Sequence, residues 1–162
     1  MNKHEVIAVT SRSFCKNMAL VAELKMRYSQ VILNETGKTL AGHDLINFLS
    51  KVDKAIIGIE DMSAEHLAKI PNLKVISKYG VGLNNIDLEY CKSHNIKLGF
   101  IPGVNKQSVA ELALTLILMS LRKIHTNHAE ILRGEWPQTK GLELRGKKVG
   151  ILGFGNIGQT LA

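Results

Sequence analysis

One stretch constrains this chain more than any other: Lys147-Lys148-Val149-Gly150-Ile151-Leu152-Gly153-Phe154-Gly155-Asn156-Ile157-Gly158-Gln159. Two lysines lead into a short apolar run, Val149 to Leu152, and the run breaks into Gly-x-Gly-x-x-Gly. The apolar run reads as a strand and the glycines as the turn into a helix. In such a unit Gly153 allows the tight turn, Gly155 lets the backbone approach a pyrophosphate, and Gly158 lets the helix pack closely. The helix opens with unpaired N–H groups and the positive end of its dipole, which suits a diphosphate. Only four residues follow Gly158, so the helix has barely begun.

Composition narrows the remaining choices. At 162 residues the chain has room for one domain, or for a small domain and part of another. Cys15 and Cys91 match no metal or redox spacing and read as reduced thiols of a cytoplasmic protein. No signal-peptide core precedes the first strand. The longest apolar stretch, Leu112 to Leu121, carries Thr115 and Ser120 and is too short for a bilayer, so no membrane partner is expected. The net charge of +7 comes from 21 Lys and Arg scattered from Lys3 to Lys148 with few aromatics. Nucleic-acid binding needs a concentrated basic face with stacking rings, so it is not expected either. Anionic small molecules or solubility account better for the excess.

Along the first hundred residues, apolar strands alternate with amphipathic helices, the pattern of a parallel α/β sheet. Strands are expected at Val6–Val9, Val31–Leu33, Ala55–Ile59, Val75–Ser77 and Ile96–Ile101. Helices are expected at Met18–Tyr28, around Leu45–Leu49, after Ser63 as far as Ile70, and over Leu88–His94 with Asn85 or Asp87 as cap. Pro102-Gly103 reads as a boundary. Beyond it, Ser108 to Ile124 is the strongest helix of the chain, with Ser108 and Glu111 spaced as a capping box, and a second helical piece runs to Leu132. Two α/β units in tandem suggest a ligand held in a cleft between them, at the carboxyl ends of strands.

The fourth strand ends at Lys78-Tyr79-Gly80-Val81-Gly82. Successive N–H groups in a glycine turn make an anion-binding nest apt for a carboxylate, and a tight strand-to-helix turn explains the same residues structurally. Ser77 to Asp87, Pro102 to Leu114, Gly134-Glu135-Trp136 and Leu142 to Gly158 together resemble, in order, four motifs of the D-isomer-specific 2-hydroxyacid dehydrogenases, the family that includes phosphoglycerate dehydrogenase. The first 76 residues agree with it only in pattern.

The resemblance implies an α/β chain: a flavodoxin-like parallel-sheet substrate domain over 1–101, followed over 102–162 by the linking helix and the start of a Rossmann nucleotide-binding domain. It implies that Lys78, Tyr79, Gly80, Val81 and Gly82 bind the carboxylate of a 2-hydroxy or 2-oxo acid. Val81, Gly153, Gly155, Asn156, Ile157 and Gly158 would contact NAD, with NADP as the alternative, and 108–140 would form a homodimer interface. The family's catalytic Arg, Glu and His, and its ribose-binding acid, match no residue here. This chain is therefore expected to be the N-terminal half of an NAD(H)-dependent dehydrogenase, inactive alone. A non-catalytic dimerising or ligand-binding fragment of the same fold is the rival.

Two departures from the family pattern stand out. Asn84 occupies a position commonly Asp, keeping hydrogen bonding without charge. Glu60 and Asp61 stand where phosphoglycerate-type members often have arginine, and two carboxylates would repel a phosphate. Lys78 is weighed as an attractor of anions against a solvated strand-end lysine. His125 and His128 lie one helical turn apart without a third ligand and are read as exposed histidines rather than a metal site.

Overall fold

A computed structural model describes residues 2–162. They form two compact units, 2–102 and 103–162. In the first, five parallel strands alternate with helices: β1 (Asn2–Val9), α1 (Arg12–Cys15), α2 (Met18–Arg27), β2 (Tyr28–Leu33), α3 (Gly42–Leu49), β3 (Lys54–Ile57), α4 (Ala64–Leu67), β4 (Val75–Lys78), α5 (Leu88–Ser93) and β5 (Lys97–Gly99). The sheet order is β2-β1-β3-β4-β5. All four pairings are parallel, so every strand ends on the same edge.

Strand alternation divides the side chains between two faces. Ala8, Ala55, Ile57 and Ile76 point to one face, packed against Leu45, Leu49, Leu67, Ile70 and Cys91 from the α3–α5 side. Ile7, Val9 and Ile56 point to the other, against Phe14, Val21 and Leu24 of α1 and α2. Burying one such aliphatic side chain contributes about 1.5–3 kcal/mol, so these two clusters dominate the unit's stability. The helices begin where side chains can cap them. Ser11, Asn17 and Asp87 accept from the N–H groups of Phe14, Leu20 and Tyr90.

Several boundaries differ from the sequence expectation. Four-residue α1, too short for periodicity to reveal, follows β1 directly. The helix expected to include Tyr28 ends one residue earlier, because Tyr28 already pairs in β2 with Asn2. β5 is confined to Lys97–Gly99, since only those residues pair with β4. Ser63 precedes α4 but turns its hydroxyl to Asp61 and His66 instead of capping the backbone.

In the second unit α6 (Lys106–Leu121), α7 (Ile124–Leu132) and α8 (Asn156–Leu161) are helical. α6 starts two residues before Ser108, because the turn through Gly103 (φ 69°) delivers the chain to Asn105 in a helix-ready state. Glu111 then accepts from Gln107 one turn back, and there is no capping box. Lys123, left-handed at φ 51°, separates α6 from α7. The expected strand Val149–Leu152 is not formed. A strand exists by pairing its backbone, and no strand of this unit pairs with it. Val149 and Leu152 stay open, Leu152 wholly so, while Ile151 is half-buried. Among the described residues no helix is long and apolar enough to cross a membrane.

At the amino edge of the sheet Asp53 ties three strands together. Its carboxylate accepts from the Val6 N–H at 3.0 Å and pairs with Lys74 at 2.7 Å, while its carbonyl accepts from the Lys74 N–H at 2.8 Å. Lys74, then the Val6 amide, hold the Asp53 carboxyl below the usual carboxylate range. A lowered carboxylate pKa stabilises the fold fully above the unfolded-state value of about 3.9 and less as pH falls toward the folded value. D53A is expected to cost about 1–2 kcal/mol near neutral pH. In urea unfolding, the gap between it and the natural chain should close only below about pH 4.

Candidate functional site

The site begins where two neighbouring strands stop. Ile57 at the end of β3 pairs with Lys78 at the end of β4, and the Tyr79 N–H reaches the Ile57 carbonyl at 2.8 Å. The chain then turns through Gly80 at φ 150°, a conformation that side chains rarely adopt. The far limb of the turn is fastened back to the segment after β3. Met62 and Ile86 bridge, with the Met62 N–H on the Asn85 carbonyl at 2.8 Å and the Asp87 N–H on the Met62 carbonyl at 2.9 Å. Between these fixed limbs, no protein group among the described residues accepts from the N–H groups of Gly80, Val81 or Gly82. Gly80 and Gly82 are exposed and Val81 is half-buried, so these N–H groups are open to water or to an anion.

Lys78 to Gly82 line one cavity of about 290 Å³, with Asn84 and Asn85 on its rim. Lys78 is neither a solvated lysine nor a free charge. Its ammonium donates to the Gly58 carbonyl and, at 2.6 Å, to Asn85 Oδ1. Burial pushes its pKa down, while the charge of Glu60 works the other way. Asn85 in turn donates to the Glu60 carbonyl at 2.6 Å. Lys78 therefore clamps the ends of β3 and β4 to the loop, and the open amides are the groups left to meet a ligand. Asn84 folds back on Gly82, where a Cβ would lie 3.2 Å from its Oδ1.

The two carboxylates expected to repel phosphate are placed differently from each other. Glu60 is buried, and its Oε2 accepts from the Gly58 N–H at 2.6 Å. Asp61 turns away to Ser63 and to His66, 3.1 Å from its Nδ1. Only Glu60 lines a cavity next to the turn. Sequence reasoning missed α1, whose Phe14 packs edge-on against Tyr79 with ring centroids 5.3 Å apart. The signal that could have revealed it is Ser11-Arg12-Ser13, directly after the first strand and therefore on the sheet edge that carries the site.

The glycine fingerprint sits in the other unit. Gly153 takes φ 93°, and Gly155 is the extended residue before α8. A Cβ on Gly158 would come within 2.3 Å of the Gly153 carbonyl oxygen, so only glycine allows α8 to lie this close to the turn. Asn156 rests against Gly103, and Ile157 is exposed. The close packing that motif reading assigns to the third glycine is thus made here on the turn itself rather than on a paired strand. His125 and His128 lie on α7, and no group of three candidate metal ligands occurs among the described residues.

G80A is expected to lower stability by about 1–3 kcal/mol in thermal or urea unfolding, through backbone strain. G99A, at ordinary φ with open space around its Cβ, should stay within about 0.5 kcal/mol of the natural chain. G158A should cost about 1–3 kcal/mol and shift the amide resonances of Gly153 to Gly158.

Comparison with known proteins identifies the family. The model of the D-isomer specific 2-hydroxyacid dehydrogenase catalytic domain matches residues 7–160. Hydroxypyruvate reductase of Thermotoga maritima is 35% identical over 142 residues, covering 83% of this chain and 46% of that protein. A solved D-isomer specific 2-hydroxyacid dehydrogenase from Polaromonas superposes with a TM-score of 0.87 at 27% identity, over 97% of this chain and 50% of the other. An NAD-dependent formate dehydrogenase from Staphylococcus aureus, solved with NAD, gives 0.78 at 29% identity, over 99% of this chain and 52% of the other. The chain thus spans about half the length of the proteins it matches. With the family model running through both the open-amide turn and the glycine fingerprint, the chain belongs to the D-isomer specific 2-hydroxyacid dehydrogenase family.

Proposed function

We propose that this chain serves an NAD(H)-dependent dehydrogenase that interconverts a D-2-hydroxy acid and a 2-oxo acid. The observation that carries the reading is the run of three open N–H groups at Gly80, Val81 and Gly82, on the carboxyl edge of the sheet. A carboxylate there accepts charge-assisted hydrogen bonds from groups already fixed in place, so little ordering cost accompanies binding. Residues 1–101 act as the substrate domain, and 102–162 supply the linking helix and the opening of the cofactor domain. Tyr79 shapes the cavity wall, and Lys78 holds the turn in position. Val81 is also the residue of the turn assigned to the cofactor.

Gly153, Gly155, Asn156, Ile157 and Gly158 would hold the pyrophosphate of NAD. The close approach enforced at Gly158 and the left-handed Gly153 fit that role, because a diphosphate needs backbone without intervening side chains. The NAD-bound relative of similar fold supports a nicotinamide cofactor, with NADP as the alternative to NAD. Bound there, the nicotinamide supplies hydride-transfer chemistry, and this chain's part is to orient the acid by its carboxylate. We assign the protein to the cytoplasm, where its thiols at Cys15 and Cys91 stay unpaired.

Residues 108–140 form the proposed homodimer interface. α6 exposes Leu112, Leu114, Leu116 and Leu118 and buries only Ala110, so it is apolar on faces its own unit leaves uncovered. A helix apolar all round is one meant to be enclosed.

Titration of the isotopically labelled chain tests these assignments. Pyruvate or hydroxypyruvate should move the amide resonances of Gly80, Val81 and Gly82, and NADH those of Gly153 to Gly158. Shifts confined to other residues would remove the basis of the reading. In sedimentation the chain should self-associate, and the double variant L112K/L116K should shift it toward monomer by at least tenfold in dissociation constant.

A further inference from the structure

A second cavity, of about 350 Å³, opens beside the first. The two share Gly58, Ile59 and Tyr79 in their walls, so they are neighbouring parts of one groove across the carboxyl edge of the sheet. The second is lined on its far side by Arg12, Ser13 and Lys16, contributed by α1 and its flanks. Neither the Arg12 guanidinium nor the Lys16 ammonium has a protein partner among the described residues. Lys78, the other cation lining this groove, is committed to Gly58 and Asn85.

α1 is held firmly in this position. Phe14 packs edge-on against Tyr79 from within α1, and Ser11 lies so near Gly58 that a Cβ there would come 3.3 Å from its Oγ. The opposing charge is Glu60 at the cavity wall, buried and bonded to the Gly58 N–H. Its field falls on Lys78 as well; among the lining residues Arg12 and Lys16 outnumber this one carboxylate, while Glu35 acts on the neighbouring Cys15.

From this we propose that the groove binds a substrate with two anionic ends. The 2-oxo or 2-hydroxy carboxylate sits on the amides of Gly80 to Gly82, and a distal anionic group sits on Arg12 and Lys16. The proposal rests on the reading of the amide turn given above and adds the substrate class. Parallel strands lie roughly 4.8 Å apart, and β1 and β4 are two places apart with β3 between them, so the turn and the start of α1 are separated by roughly 10 Å. Arg and Lys side chains span part of that gap. The two anionic groups of the ligand are then a few bonds apart, as in a four-carbon dicarboxylate or a phosphorylated or sulfonated three-carbon acid. Arginine suits such a group because its planar fork donates two parallel hydrogen bonds to one oxyanion.

The test compares D-lactate, with one anionic end, against D-malate and 3-phospho-D-glycerate, with two, on the labelled 162-residue chain at fixed ionic strength. The expected result is that all three move the amides of Gly80, Val81 and Gly82. The two dianionic ligands should also move the Arg12 Nε and Ser13 amide signals and bind at least tenfold more tightly than lactate. R12A/K16A should abolish that advantage and leave lactate binding unchanged. The control K25A/K51A, which removes as much charge from exposed positions elsewhere, should keep it. A preference for malate or for phosphoglycerate identifies the distal group as carboxylate or phosphate. Equal affinities with a silent Arg12, while lactate still moves the turn, would overturn the proposal and leave the dehydrogenase reading standing. Lactate failing to move the turn would remove both.

Discussion

The open amides of Gly80 to Gly82 depend on the parallel pairing of β3 with β4. That pairing brings Ile57 and Lys78 to the same edge, and its last bond is that of the Tyr79 N–H on the Ile57 carbonyl. Beyond Tyr79 the ladder stops while the backbone is still held, by the Met62–Ile86 bridge on one side and the Lys78–Asn85 contact on the other. A loop pinned at both ends cannot collapse to bond its own amides. The residues that carry these donors line the cavity on a backbone held at both ends, and such preorganisation favours an anion site.

The same edge gathers the other groups that matter. In a sheet ordered β2-β1-β3-β4-β5, the ends of β1, β3 and β4 are adjacent although the sequence separates them by tens of residues. α1 therefore stands within ring-contact distance of Tyr79, and Glu60 turns beneath Gly58. At the opposite edge Asp53 joins β1, β3 and β4 through backbone and carboxylate together. One end of the sheet is closed by saturated hydrogen bonding, and the other is left with donors and cations to spare.

The sequence was readable where a local rule has one outcome. Apolar runs separated by amphipathic segments announced the parallel sheet, and all five strands of the first unit lie where such runs fall. Asp87 was legible as a cap, because a carboxylate before an apolar helix has little else to do locally. Ser108 and Glu111 obey the same kind of rule and mislead. The preceding turn at Gly103 starts α6 earlier, and a spacing rule cannot see a turn's dihedral angle. Val149–Leu152 misleads for a deeper reason: strand propensity is realised only by a neighbour, and no strand of this unit pairs with it.

The residues themselves determined that a glycine turn follows the fourth strand, that a second glycine turn precedes the last helix, and that the family motifs run in order. These depend on backbone freedoms that side-chain chemistry cannot replace, so they are written locally. Only the tertiary structure decided that Lys78 points inward as a clamp, that Glu60 is buried while Asp61 turns to His66, and that Arg12 shares an edge with Tyr79. Those outcomes depend on which strands are neighbours, and strand order is set by the packing of two cores rather than by any short stretch of chain.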